Sequence, residues 1–258
     1  MSYEHILYTV NNQVATITLN RPDAMNAMHK GLRDDLCAGL DAATADDNVR
    51  AILINGAGKS FCSGPDLGEV TNAPCLYDLI EEDYSRIYDR ILGCTKPVIN
   101  AVHGASAGVG ASITLACDLI IMSENAFLFL AFANMGLIPD GGICWQLARQ
   151  LGPKKAYQLI AEAARISSAD CVAWGLANRV VANDDLQAEA QAWAERLAQS
   201  APLPMKYAKQ VLQQAMRADY MDTMRMESGL QQMLYRTEDS QEAIKAFFEK
   251  RKPVFQGK

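Results

Sequence analysis

The sequence predicts an α/β protein in which parallel sheet layers are covered by helices and a helical region follows at the C-terminus. Three observations carry this. Residues 50–55, 97–102 and 119–123 are short, almost unbroken apolar runs, as expected of parallel strands buried on both faces. Two of them lead into small-residue stretches, Gly56-Ala57-Gly58 and residues 103–110, and helical periodicity falls between the strands. From Ala161 onward the chain reads as almost entirely helical.

Residues 6–10 and 14–20 are strand-like, and Asn11-Asn12-Gln13 between them reads as a hairpin turn. Arg21-Pro22-Asp23 breaks the second strand. Residues 26–43 carry helical spacing, with Leu32, Leu36, Leu40 and Ala43 on one stripe. Residues 76–92 and 112–116 also read as helical. Runs at 186–198, 205–218, 220–235 and 240–250 complete the pattern. The expected organisation is a core over residues 1–202 and a C-terminal helical region over 203–258.

The chain has 258 residues, 50% hydrophobic and 21% charged, with a formal net charge of −6. That composition is globular, and its acidic balance argues against binding nucleic acid or an anionic membrane. A local cluster of amides and lysines can still hold an anionic ligand. The apolar run at 111–122 is too short and too polar to span a bilayer. Seven cysteines with no CxxC and no zinc-ligand spacing predict a reducing, cytoplasmic setting and no metal. No leader segment and no C-terminal peroxisomal tripeptide is expected. His5, His29 and His103 are expected to be non-catalytic.

Three loops of small residues carry the candidate chemistry. The first is 59–67, with Ser63, Gly64, Pro65, Asp66 and Leu67. Glycine admits close approach of a ligand, and a helix start supplies free N–H groups. An ordinary strand-to-helix turn, with Pro65 at the first helical position, is the simpler reading. The second is 104–112, with Gly108 and Val109, where amides at a helix start suit a phosphate or an oxyanion. No Walker or dinucleotide pattern is present. The third is 132–142, where Asp140 stands alone between Pro139 and Gly141. An apolar surrounding would raise its pKa and suit it to accept a proton; capping the helix over 142–150 is the alternative.

Together these segments resemble the crotonase family, the enoyl-CoA hydratase/isomerase superfamily. The resemblance covers essentially the whole chain. It runs from Leu19-Asn20-Arg21-Pro22 and Met25-Asn26-Ala27-Met28, through Phe61-Cys62-Ser63-Gly64-Pro65-Asp66-Leu67 and residues 96–104, to residues 247–253. It implies a spiral of stacked β-β-α turns with a C-terminal helical trimerisation region. It also implies an acyl-CoA substrate, no other cofactor, and a homotrimer or dimer of trimers. Two backbone N–H groups would stabilise a thioester enolate, and by position they fall on Pro65 and Val109. Pro65 has no N–H, so Asp66 or Leu67 supplies a displaced donor or the hole is half built. Losing one such donor costs roughly 3–4 kcal/mol of transition-state stabilisation.

The glutamates of the family's hydratases fall on Ser112 and Phe132, so hydration is disfavoured. Asp140 falls where the family's enoyl-CoA isomerases carry a single catalytic carboxylate. The same position resembles the nucleophile of aromatic acyl-CoA dehalogenases, whose helper His has no counterpart over residues 84–92. Double-bond isomerisation through Asp140 is the leading expectation. Thioester hydrolysis, dehalogenation, the disfavoured hydration and a catalytically weak acyl-CoA-binding role remain open. By resemblance Phe247 and Lys250 contact the CoA adenine of a neighbouring subunit. Tyr77, Tyr84 and Tyr88 either line the acyl pocket or form a packing face.

Overall fold

Two strands joined by two residues begin the architecture. The computed structural model describes residues 3–258. β1 (Ile6–Asn11) and β2 (Val14–Leu19) pair antiparallel, and Asn12 and Gln13 between them both have positive φ, 49° and 65°. That is the turn whose twist matches a hairpin. β3 (Ala51–Gly56), β4 (Val98–Val102), β6 (Leu119–Ser123) and β9 (Arg179–Val181) extend the sheet in parallel, in the order β1-β2-β3-β4-β6-β9. A second sheet holds β5 (Ala105–Ala107), β7 (Phe127–Phe129) and β8 (Arg165–Ser167), in the order β5-β7-β8.

The inner strands β3, β4 and β6 are buried on both faces, which is why they read as unbroken apolar runs. Ile52 and Ile54 of β3 join one core with Leu32, Leu36 and Leu40 of α1 (Lys30–Ala45). Ala51 and Leu53 point the other way, against Leu186, Ala190 and Trp193 of α9 (Leu186–Ala198). Between α1 and α9 run α2 (Leu67–Val70), α3 (Leu76–Asp78), α4 (Ser85–Gly93), α5 (Val109–Ala116), α6 (Ile143–Leu151), α7 (Pro153–Ala161) and α8 (Ser168–Ala173). The C-terminal region is α10 (Pro202–Ala215), α11 (Tyr220–Tyr235) and α12 (Glu238–Glu249). Lys209 of α10 ties it to the core, donating to Asp118 Oδ2 and Ile91 O at 2.8 and 2.7 Å.

Several expectations are corrected. The chain after Ala161 is not wholly helical, since β8 and β9 interrupt it with three residues each, too few to show a period. α1 begins at Lys30, not at 26. Asn26 is buried with φ 54°, and its side chain donates to Ala57 O and Ser60 O at 2.9 Å each, so it staples the loop instead of starting the helix. His29 then caps α1 by accepting the Leu32 N–H at Nδ1. Pro65 is not the first helical residue: α2 begins at Leu67 with Asp66 as its cap, Oδ1 accepting from Gly68 N at 3.1 Å. The run over 76–92 holds a π-helical segment, Leu79–Tyr84, between α3 and α4. α5 starts at Val109, three residues before the expected 112.

Candidate active site

The loops around Pro65 and Val109 are knitted together by backbone bonds. Cys62 N donates to Ala105 O at 3.1 Å, and Ala107 N donates to Cys62 O at 2.9 Å. Gly64 and Gly108 have φ of 112° and 51°, a region that favours glycine. Space is tight as well. A Cβ on Gly108 would stand 3.2 Å from Pro65 Cδ, and one on Gly64 would stand 3.3 Å from Ala107 O. The two halves of the anticipated oxyanion hole therefore lie side by side.

The donors at this junction are unequal. Val109 is the first residue of α5 and is buried, so its N–H has no intrahelical acceptor and heads a helix dipole. Pro65 offers none. The Asp66 amide donates to Met28 O at 3.2 Å, and its Oδ2 lies 3.3 Å from Arg21 Nη1. Asp66 is thus committed to holding the loop. The Ser63 amide is likewise used, on Met25 O at 3.0 Å. Leu67, at the head of α2, is the remaining position of the two that could replace the Pro65 donor. Cys62 is fully buried, with Sγ on Asn26 O at 3.2 Å. Burial pushes its thiol up to about 12, which suits packing and not nucleophilic attack.

Asp140 does not cap a helix. The cap of α6 is Gly142, with no side-chain cap bond. The Asp140 carboxylate turns inward, and Oδ1 is buried without a hydrogen-bond partner among the described residues. Burial raises its pKa above 3.8, against opposing hydrogen bonding from the Ser112 hydroxyl and its own backbone. Ser112 of α5 connects the site's parts, donating to Asp140 O at 3.2 Å from a helix whose first residue is Val109. Phe132 is buried and apolar.

Tyr84 and Tyr88 complete the surroundings, and sequence reasoning left them undecided between pocket and packing. Both are buried, and both phenol oxygens lack a partner among the described residues. Burial drives both phenols upward, and the negative charge of Asp140 adds to it, more at Tyr88 than at Tyr84, where Arg33 opposes the rise. A Cβ on Gly141 would meet Tyr88 Oη and would stand 2.6 Å from Ser112 Cβ. Tyr77 is elsewhere, 70% exposed.

Arg33 was missed altogether. Its side chain is 1% exposed, holds Glu69 at 2.6 Å and Asp83 at 2.8 Å, and its guanidinium carbon lies 5.0 Å from the centre of the Tyr84 ring. The missed signal was a charge at 33 among Leu32, Leu36, Cys37 and Leu40, where an amphipathic helix buries its face.

Phe247 and Lys250 stand at the end of α12, Phe247 78% exposed and Lys250 its left-handed C-cap. No hydrogen bond among the described residues joins either to the loops at Pro65 and Val109. Among the described residues no group of three or more His, Cys, Asp or Glu could hold a metal ion. No described helix is long and apolar enough to cross a membrane.

Comparison with known proteins gives this site its context. The family model for enoyl-CoA hydratase/isomerase matches residues 9–258. The chain is 34% identical to the 1,2-epoxyphenylacetyl-CoA isomerase of Escherichia coli, covering 99% of each. It is 33% identical to the trans-2-decenoyl-[acyl-carrier-protein] isomerase of Streptococcus mutans, and 34% identical to a Rhodobacter capsulatus protein named "Probable enoyl-CoA hydratase", covering 100% of each in both cases. A solved enoyl-CoA hydratase from Bacillus anthracis superposes with a TM-score of 0.92 at 29% identity, over 99% of this chain and 100% of that one. These similarities, over its whole length and in its crotonase fold, show that the chain belongs to the enoyl-CoA hydratase/isomerase family.

Proposed function

We propose that this family member moves a double bond along an acyl-CoA chain, with Asp140 as the single acid/base. The observation that carries the reading is Asp140: its carboxyl is half-buried, raised in pKa and unpartnered at the buried Oδ1, and its backbone carbonyl accepts from Ser112 of the helix that Val109 opens. The two hydratase positions hold Ser112 and Phe132, neither of which can act as a general base for water. In the proposed step Asp140 takes a proton from carbon 2 of a 3-enoyl thioester. The electron pair delocalises onto the thioester oxygen, which the Val109 N–H stabilises. The protonated carboxyl then returns its proton to carbon 4, leaving the 2-enoyl thioester. Atoms and charge balance, and one carboxyl suffices.

The test is exchange of acyl-chain protons with deuterium in a 3-enoyl-CoA, for wild type and Asp140→Asn. The near-isosteric amide should preserve ligand affinity and lower exchange at least roughly 10²-fold. Undiminished exchange in the variant would rule Asp140 out as the base. Pro65 and the spent Asp66 amide favour a second reading, an acyl-CoA-binding member with little catalysis. It requires binding of CoA thioesters without exchange in either protein, across several acyl chains. Under both readings the substrate CoA is the only cofactor, Phe247 and Lys250 meet its adenine across a subunit boundary, and the assembly is a homotrimer or dimer of trimers.

A further inference from the structure

We propose that Tyr88, backed by Tyr84, is a specificity-determining residue that receives an oxygen substituent on the acyl chain next to the carbon on which Asp140 works. The inference rests on the reading of the Asp140 surroundings as the acyl site.

The argument begins with cost. A phenol buried without a partner loses its bond to water and gains nothing, so a phenylalanine would pack more stably in the same space. Tyr88 is 9% exposed and Tyr84 2% exposed, and neither oxygen has a partner among the described residues. Asp140 Oδ1 is a third such atom. The Ser112 hydroxyl donates to backbone, to Asp140 O at 3.2 Å and Gly108 O at 3.4 Å, and its pull on Tyr88 and on the Asp140 carboxyl is weaker than the burial that raises both. The unpaired atoms share one neighbourhood. Tyr88 Oη lies against the Gly141 backbone, next in sequence to Asp140, and the Asp140 charge is felt by both phenols.

The chemistry is matched to a ligand group of one kind. Burial drives both phenols above the ordinary tyrosine value, so they remain neutral O–H groups and present two donors beside one acceptor. A plain hydrocarbon chain would satisfy none of them. A hydroxyl, ether or keto oxygen on the chain accepts from the phenols, and a hydroxyl also donates to a carboxylate. Tyr88 is placed to make the first of these bonds because it touches the Asp140–Gly141 backbone. Tyr84, whose ring packs on Arg33 at 5.0 Å, is held one helical turn away.

The experiment is calorimetric binding of hexanoyl-CoA and of hexanoyl-CoAs carrying a hydroxyl at carbon 3, 4 or 5, to wild type and Tyr88→Phe. These saturated chains have no double bond to move, so affinity is read without isomerisation. At least one hydroxylated chain should bind wild type about tenfold or more tighter than hexanoyl-CoA. In Tyr88→Phe that advantage should shrink to about twofold or less, with hexanoyl-CoA affinity retained. A merely structural tyrosine would weaken all four ligands together or none. Equal binding of all four by wild type, or an advantage that survives in Tyr88→Phe, overturns the inference and leaves the acyl-CoA reading standing. No binding of any of the four overturns both.

Discussion

Asp140 is held in a state that costs the fold something at neutral pH. Its folded pKa lies above its unfolded value, because burial disfavours the charged form. Such a group stabilises the fold below its unfolded pKa, near 3.8, and that contribution is lost as pH rises through the folded pKa. Asp140→Asn removes the buried charge. It should therefore raise the melting temperature at pH 7 relative to wild type, with the difference vanishing near pH 3.5. A variant less stable than wild type at pH 7 would contradict an inward, unpartnered carboxylate. Activity should follow the opposite limb, since only the ionised form accepts a proton. A pH–rate profile should fall on the acid side with a midpoint above 3.8. Gly108 offers a second check at this scale. Its φ of 51° strains any other residue, and a methyl group 3.2 Å from Pro65 Cδ would push the proline aside by a few tenths of an ångström. Gly108→Ala should lower turnover by disturbing the Val109 amide, read as a fall in kcat larger than any rise in KM. Unchanged kcat would detach that loop from the chemistry.

Helices α1 and α4, with the π-helical segment before α4, decide what surrounds the carboxylate. Arg33 of α1 bridges Glu69 of α2 and Asp83 of the π segment, while its ring contact holds Tyr84. Arg33→Met keeps the volume but strands Glu69 and leaves Asp83 with Arg86 at 3.6 Å. Removing one partner of a buried pair typically costs about 3–5 kcal/mol, although Glu69 and Asp83 are about a quarter exposed and water can rescue part of that. A loss of roughly 2 kcal/mol or more in urea unfolding is expected; a loss near zero would mean that the network does not hold the helices. The same region shows what was legible. Leu32, Leu36 and Leu40 announced the buried stripe of α1 through their spacing. Tyr77, Tyr84 and Tyr88 look alike by spacing, seven and four apart, one face of an α-helix. The π-helical segment at Leu79–Tyr84 has more residues per turn and breaks that register, leaving Tyr77 70% exposed while Tyr84 and Tyr88 are buried. Nothing in the spacing marks such a segment.

For the whole molecule, α11 is the element out of place in a lone chain. None of its described residues is buried, and Tyr220, Met221, Met224, Met233 and Tyr235 are all exposed. Apolar surface of this kind marks an interface, and a trimer or dimer of trimers would cover it. Light scattering at micromolar concentration should show that mass, and Met221→Glu with Met224→Glu should shift it toward monomer. A wild-type monomer would contradict the assembly. A weaker response to CoA thioesters in the monomeric variant would follow if Phe247 and Lys250 serve a neighbouring subunit.

By itself the sequence determined the alternation of strands with helices, a hairpin turn within Asn11-Asn12-Gln13, the glycine loops at 64 and 108, and the isolation of Asp140 between Pro139 and Gly141. These depend on local preferences: unbroken apolar runs for parallel strands, positive φ for glycine, proline's fixed φ. It also exposed the missing donor at Pro65, because that defect is covalent. Only the tertiary structure decided that Asp66 spends its amide on Met28, that Gly142 and not Asp140 caps α6, and that the Tyr88 phenol lies against Gly141. Each of these depends on which distant segment lies opposite, residues 28 against 66 or 88 against 141. Such long-range juxtaposition leaves no periodic trace in the chain.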